Sequence, residues 1–291
     1  MTGASYIIIS PTRNEDQYLQ RNIESIVSQT IRPSLWVIVN DGSTDKTAAI
    51  ADDAAKQHTW IKVVHRADRG FRAAGSGVME AFYAGYELIG NMAWDFLVKL
   101  DGDTSFEPDY FESCFKHFQE DSKLGIGGGT ISNEVNGTYV AESEVDPVFH
   151  VRGATKIYKR ACWDAIGGLI RVAGWDTVDE VKANMLGWRT RTFPDVRIIH
   201  HRLAGGAYGT WPNWEKNGKA SYTVGYVPLF MIAKGIRRAF AKPYLIGALG
   251  LLSGYAKAYF GSGVRINDPA TLRYFRNQQF RRLFGRPSIW T

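Results

Sequence analysis

The first apolar run, "YIIIS" (Tyr6–Ser10), is too continuous for a half-exposed strand and too short for a core helix. It reads as a strand buried on both faces, as in parallel sheets. Next, Leu19, Ile23, Ile26 and Val27 recur at helical spacing and predict one apolar helix face. The alternation then repeats, with a strand at "LWVIV" (Leu35–Val39) and an alanine-rich helix to about Gln57. A strand at "IKVVH" (Ile61–His65), a helix from Ala73 to Ile89 and a strand at "WDFLVKL" (Trp94–Leu100) follow. Glu107-Pro108 opens another helix, with proline where a first turn tolerates it. Alternation of this kind predicts an α/β fold of βαβ units around a parallel sheet. Ligands of such sheets bind beyond the carboxyl ends of the strands.

From Gly125 the pattern loosens. "GIGGGTIS" and "GTYVAESEV" read as less regular strands and "KRACWDAIGGL" as a short helix. "GWDTVDEVKANMLGW" is a helix expected to turn Val178, Val181, Met185 and Leu186 inward, and "RTFPDVRIIHHR" returns as a strand. Gly, Pro and Asn in "YGTWPNWEKNGKAS" (Tyr208–Ser221) mark the softest boundary and divide the chain into 1–221 and 222–291. In the second part, Leu229, Ile232, Ile236 and Phe240 share one helical face, with Lys234, Arg237 and Arg238 off it. "YLIGALGLLSGYAKAYF" (Tyr244–Phe260) is apolar but shorter than the ~20 residues of a membrane span.

Composition changes this picture in two places. With 45% hydrophobic and 22% charged residues the chain is a globular protein, and disorder is excluded. Cys114 and Cys162 are too few for a disulfide framework and lack metal-ligand spacing, so a reducing, intracellular compartment is expected. "MTGASYIIIS" has no basic leader pattern, so the sequon Asn136-Gly137-Thr138 carries no weight. The net charge of +6 hides a division: from Leu229 onward lie 11 of the 35 Lys and Arg but only one of the 29 Asp and Glu. That leaves 24 basic and 28 acidic residues before it, so the body carries about −4 and the tail +10. A different partner is expected for each.

In "LVKLDGDTSF" (Leu97–Phe106), Asp101 and Asp103 flank a glycine where the fourth strand runs out. Like charges that close need a positive group between them. As hard oxygen ligands they suit Mg²⁺ or Mn²⁺ bridging to phosphate, although Asp-Gly-Asp is also an ordinary solvated turn. "SPTRNE" and "NDGSTD" end the first two strands. Asp41 in the second suits a base or ribose hydroxyl, and the helix after it favours anions at its N-terminus. "RADRGFRAAGSG" (Arg66–Gly77), with Arg69, suits a phosphate-bearing ligand or is a surface loop. No GxGxxG follows the first strand, which argues against a dinucleotide site.

The order "SPTRNE", "NDGSTD", "LDGD", an acidic helix and a histidine-bearing strand resembles the family-2 glycosyltransferases of GT-A fold, over roughly Tyr6 to Arg202. The resemblance implies that Pro11, Thr12, Arg13 and Glu15 line a nucleotide pocket. Asp41 would read the base or ribose, with Gly42 and Arg69 also on the donor side. Asp101 would lie near the ribose or join the metal, and Asp103 would hold Mg²⁺ or Mn²⁺ against the diphosphate. The family usually opens a later helix with Glu-Asp, the aspartate being the base. Here the pair is Trp175-Asp176, so Asp176 is the expected base, with Asp179 one turn on as the alternative. His200 and His201 end the next strand, as metal ligand or diphosphate contact. Strand alternation lets only one of them enter the site, and the spacing from Pro194 favours His200.

The activity so implied is metal-dependent, inverting transfer from a nucleotide-sugar donor to an acceptor hydroxyl, in surface polysaccharide or glycolipid assembly. Arg152–Leu169 would meet the acceptor. A sugar-phosphate nucleotidyltransferase would carry a glycine-rich basic loop after the first strand, and "SPTRNE" is not one. A non-catalytic nucleotide- or membrane-binding module stays open because of Trp175. The basic tail is expected on an anionic membrane surface at the cytoplasmic face, near a lipid-linked acceptor. Packing on the body or on a second subunit of a homodimer is the other reading. No nucleic-acid motif is present.

Overall fold

A computed structural model describes residues 4–70, 75–135, 138–141, 146–202 and 209–290. Among them, nine strands form one sheet. They are β1 (Tyr6–Thr12), β2 (Leu35–Asp41), β3 (Ile61–Arg66), β4 (Phe96–Leu100), β5 (Thr104–Ser105), β6 (Leu124–Val135), β7 (Thr138–Ala141), β8 (Thr155–Lys159) and β9 (Arg189–His200). The helices α1 (Leu19–Val27), α2 (Thr47–Gln57), α3 (Ser76–Tyr86), α4 (Tyr110–Glu120), α5 (Arg160–Ile166) and α6 (Trp175–Met185) belong to the body. Four more follow: α7 (Thr210–Thr223), α8 (Pro228–Ala239), α9 (Tyr244–Phe260) and α10 (Pro269–Leu283).

The sheet order is β3-β2-β1-β4-β8-β6-β9-β5, with β7 paired to β6. It is parallel from β3 to β4 and between β6 and β9, and antiparallel at β8, β5 and β7. The continuous apolar run in β1 follows from burial on both faces: Tyr6 and Ile8 enter one core layer, Ile7 and Ile9 the other. Both leading strands run further than their apolar residues predict. The parallel ladder continues through Pro11↔Val39 and Thr12↔Asn40, so the polar residues at the strand ends are still held by the sheet.

Several expectations are corrected. Val27 and Leu186 are exposed, because each sits at the fraying end of its helix. β8, made polar by Lys156 and Lys159, is an additional strand inside the sheet. The soft segment before Ser221 is mostly helix α7, with Pro212 in its first turn. Ala73, Ala74, Tyr208, the sequon's Asn136 and Gly137, and 142–145 of the loosely patterned strand lie outside the described residues.

Glycines join α7 to α9. A methyl group on Gly218 would run into the Leu251 carbonyl, and one on Gly254 into the Glu215 carbonyl. Two helix backbones touch there, which only glycine permits. A third apolar cluster joins Val178 and Val181 of α6 to Val224, Tyr226, Phe230, Met231, Leu251 and Phe275, so the tail is seated on the helix that begins at Trp175. Gly254→Ala should therefore cost about 1–3 kcal/mol of overpacking. A melting temperature lowered by several degrees would agree, and an unchanged one would mean that the two backbones are not in contact.

Candidate active site

Because β1, β2 and β4 are parallel, their carboxyl ends bring Thr12–Glu15, Asp41–Gly42 and Asp101–Asp103 to one edge of the sheet. β9 reaches the same edge through β5: Thr104 pairs with His200, and the His201 amide donates to the Asp103 carbonyl at 2.9 Å.

Asp103 is only 7% exposed, and its buried Oδ1 receives no hydrogen bond. His200 Nε2 stands 3.4 Å from that oxygen, and Arg202 Nε lies 3.8 Å from Oδ2. Burial would raise the Asp103 pKa, but the imidazole and guanidinium outweigh it and keep the carboxyl ionised below its ordinary value. Arg202 also donates to Glu15 Oε2 at 2.6 Å. An under-bonded carboxylate oxygen beside an imidazole suits Mg²⁺ or Mn²⁺. No group of three His, Cys, Asp or Glu able to hold a metal forms among the described residues. A cation here would therefore be held by Asp103 and His200, with its remaining positions left to water or ligand oxygens, as Mg²⁺ commonly is.

Asp101 and His201, at the same edge, are engaged by other protein groups. Asp101 Oδ1 accepts from Lys99 Nζ, a lysine 2% exposed that also donates to the Gly153 carbonyl. The repulsion between Asp101 and Asp103 is thus relieved by separate protein cations. His201 spends Nδ1 on Arg21 at 3.3 Å and Nε2 on the Ser105 hydroxyl at 2.8 Å, and its ring stacks on Tyr18. Burial and the Arg21 charge lower its pKa. It supports the strand end, and His200 is the histidine that faces Asp103.

At the end of β2, Asp41 accepts from Arg66 at 2.6 Å and from Arg69. Arg13 donates to the Asp41 carbonyl and to Asp68, both at 2.6 Å. Glu80 faces both Arg66 and Arg69. Gly42 has φ +67°, and a Cβ there would strike the Asp68 backbone. Arg69, expected to face phosphate, instead clamps the Asp41 carboxylate. Thr12 is 1% exposed and gives its hydroxyl to the Val39 carbonyl, and Pro11 continues the ladder, so both shape the pocket through backbone. Arg66 and Asp68 lie in the basic, glycine-bearing segment that the sequence singles out as a whole, whereas Glu80 and Arg202 carry no local motif signal.

Trp175 and Asp176 open α6. The indole is 6% exposed, with Lys99 Nζ and Lys156 Nζ each 5.5 Å from its ring. Asp176 is half-buried and its carboxylate faces Gly153, the residue that Lys99 holds. Asp179 is different: 3% exposed, it receives Lys156 on both oxygens at 2.9 Å and the Tyr158 hydroxyl at 2.5 Å. Burial pushes its carboxyl up to about 6 in spite of Lys156. Asp179 is thus enclosed by protein groups, whereas Asp176 is half-buried. Glu180 completes the network, bonded to Lys156 at 2.8 Å, to the Val151 amide at 2.7 Å and to His150 Nδ1 at 2.9 Å. A cavity of about 850 Å³ beside Arg189 and Trp290 lies apart from these residues.

The two carboxylates of the Asp-Gly-Asp turn should respond differently. Asp103→Ala should weaken Mn²⁺-dependent nucleoside-diphosphate binding by about tenfold or more, worth about 1.4 kcal/mol, without lowering the metal-free melting temperature. Asp101→Asn should instead lower stability by leaving buried Lys99 underpaired, by about 3–5 kcal/mol at most. Calorimetric titration and melting of both variants separate these effects, and loss of metal dependence in Asp101→Asn alone would reverse the assignment.

A pH dependence follows from His150. Burial works against its charge, but the Glu180 carboxylate wins and its pKa is raised. A raised pKa adds stability that is complete below the unfolded value of about 6.5 and is lost as pH rises through the folded value. Urea unfolding should show the wild type losing its advantage over His150→Gln from about pH 6.5 upward. Parallel pH profiles for the two proteins would remove His150 from this role.

Comparison with known proteins agrees with this fold. A family model described as Glycosyl transferase family 2 matches residues 7–170. The glycosyltransferase GlyA of Streptococcus pneumoniae is 26% identical over 147 residues, half of this chain and 18% of its own length. The chondroitin synthase of Pasteurella multocida is 29% identical over 117 residues, 40% of this chain and 11% of its own. This chain therefore corresponds to a small part of either relative. Among solved structures, the mannosyltransferase PcManGT of Pyrobaculum calidifontis, in complex with GDP-Man and Mn²⁺, superposes with a TM-score of 0.56 at 20% identity. That superposition covers 96% of this chain and 80% of the other, and shows a shared GT-A fold. With a family model spanning more than half its length, the chain belongs to glycosyl transferase family 2.

Proposed function

We propose that the crevice moves a sugar from a nucleoside-diphosphate sugar to an acceptor hydroxyl, inverting the anomeric carbon and requiring Mg²⁺ or Mn²⁺. The observation that carries this reading is Asp103: buried, ionised and one hydrogen bond short beside His200, at the edge where the strands end. A bound divalent ion supplies positive charge to the departing diphosphate. Arg202 and His200 add charge of the same sign and orient Asp103. Asp41, set by Arg66 and Arg69, faces the nucleoside, and Arg13 bridges that wall to Asp68.

Asp176 accepts the proton of the acceptor hydroxyl as its oxygen attacks the anomeric carbon. The bond from that carbon to the diphosphate oxygen breaks on the opposite face, and nucleoside diphosphate leaves. The segment Arg152–Leu169, with Gly153 beside Asp176, forms the acceptor wall. We assign catalysis to residues 1–221 and a supporting, basic helical role to 222–291. The matched synthase makes a polysaccharide and PcManGT carries a nucleotide sugar with Mn²⁺, which supports surface-polysaccharide assembly as the setting. The tail's charge supports work at the cytoplasmic membrane face on a lipid-linked acceptor.

Nucleoside-diphosphate release from UDP-, GDP- and dTDP-sugars with Mn²⁺, Mg²⁺ or EDTA tests the reading. One donor should be hydrolysed slowly, EDTA should abolish the reaction, and Asp176→Asn should slow transfer about 10²–10⁴-fold with donor affinity intact. Pyrophosphate release from a nucleoside triphosphate and a sugar phosphate would make it a nucleotidyltransferase. Binding of nucleotide without turnover on any acceptor would leave a non-catalytic module, and no nucleotide binding at all would end the proposal.

A further inference from the structure

The C-terminal helices bury one apolar face and expose another. On α8, Phe230, Met231 and Gly235 turn inward. Leu229, Ile232, Ile236 and Phe240, the residues that share a helical face, stand 53%, 53%, 60% and 81% exposed. The first turns of α9 continue the surface with Leu245 at 64% and Leu249 at 56%. The two helices form a hairpin, since Gly235 meets Leu252 and Gly247 meets Arg238. Its turn therefore carries Phe240, Lys242 and Leu245 at one end. An apolar surface of this extent exceeds the scattered exposure of an ordinary soluble face.

Charge decides what covers it. Between Glu215 and Asp268 the sequence contains no acid, and the hairpin carries Lys234, Arg237, Arg238 and Lys242. A second copy of the chain would bring an equally basic surface against this one, which repels. An anionic bilayer offers both an apolar interior and negative phosphates, and no helix among the described residues is long and apolar enough to cross it.

We propose that the α8–α9 hairpin lies in the interface of an anionic lipid bilayer, with Ile236, Phe240, Leu245 and Leu249 among the acyl chains and Arg237 and Lys242 against lipid phosphates. This deepens the membrane-side reading above and is independent of the transfer chemistry. The hairpin and the helix that begins at Trp175 share one apolar cluster through Met231, Val178 and Val181.

The test is co-flotation of the full chain with phosphatidylcholine vesicles, with and without phosphatidylglycerol, beside the double variant Ile236→Glu/Phe240→Glu. Wild type should bind the anionic vesicles only. The variant should bind about tenfold less or worse, with melting temperature and donor hydrolysis in solution unchanged. Equal binding by both proteins would overturn the hairpin surface and leave the membrane-side reading to the remaining basic residues. No wild-type binding would overturn both while leaving the crevice chemistry intact. If sedimentation equilibrium shows a wild-type dimer that the variant dissolves, without lipid binding, the face is a contact between copies and the proposal fails.

Discussion

A lysine ammonium shut away from water is tolerated only where other groups replace its hydration, and two of them lie beneath the crevice floor. Lys156, fully buried, is met by Asp179, Glu180 and the Asp176 carbonyl. Lys99 is met by Asp101 and the Gly153 carbonyl. The face of Trp175 lies between the two cations. These contacts tie β4, β8 and α6 into one piece and hold the Asp101 carboxylate and the Asp176 backbone. An acid at position 175 would add a further negative charge among Asp101, Asp176, Asp179 and Glu180, whereas an indole meets both ammoniums with its π face and adds none.

From that floor the crevice divides by how each carboxylate is neutralised. Asp41 and Asp101 have close protein cations, so their charge serves to hold geometry. Asp103 has the His200 imidazole at 3.4 Å and the Arg202 guanidinium at 3.8 Å, with one oxygen under-bonded. Three aspartates at neighbouring strand ends thus take different roles because their surroundings differ, and the sheet alone does not distinguish them. The tail is coupled to this arrangement mechanically: α6 shares an apolar cluster with α8, and glycine contacts let α7 and α9 touch backbone to backbone.

The unevenness of what could be read from the chain has a physical cause. The strands ending at Thr12, Asp41 and Leu100 were legible, the first two to within two residues, because a doubly buried parallel strand needs an uninterrupted apolar run. The polar residues beyond that run still belong to the ladder. β8 was missed because its outline depends on Lys156, a residue whose burial makes sense only with Asp179 and Glu180 some two dozen positions away. A similar separation hid Arg66 and Arg69 on Asp41, and a far longer one, 187 positions, hid Arg202 on Glu15. α7 was read as a soft boundary from its Gly, Pro and Asn, although Pro212 sits in a first turn and Gly218 at a helix contact.

By itself the sequence determined the α/β alternation, the polar motifs at the strand ends, the family they resemble and the charge division between body and tail. All of these are written in local periodicity and composition, which depend on neighbours a few residues apart. Only the tertiary structure decided that Asp103 and not Asp101 faces His200, that Asp179 is enclosed while Asp176 is accessible, and that the apolar face of α8 stays uncovered. Each of those depends on which distant charge or surface arrives in space, and no local pattern encodes that.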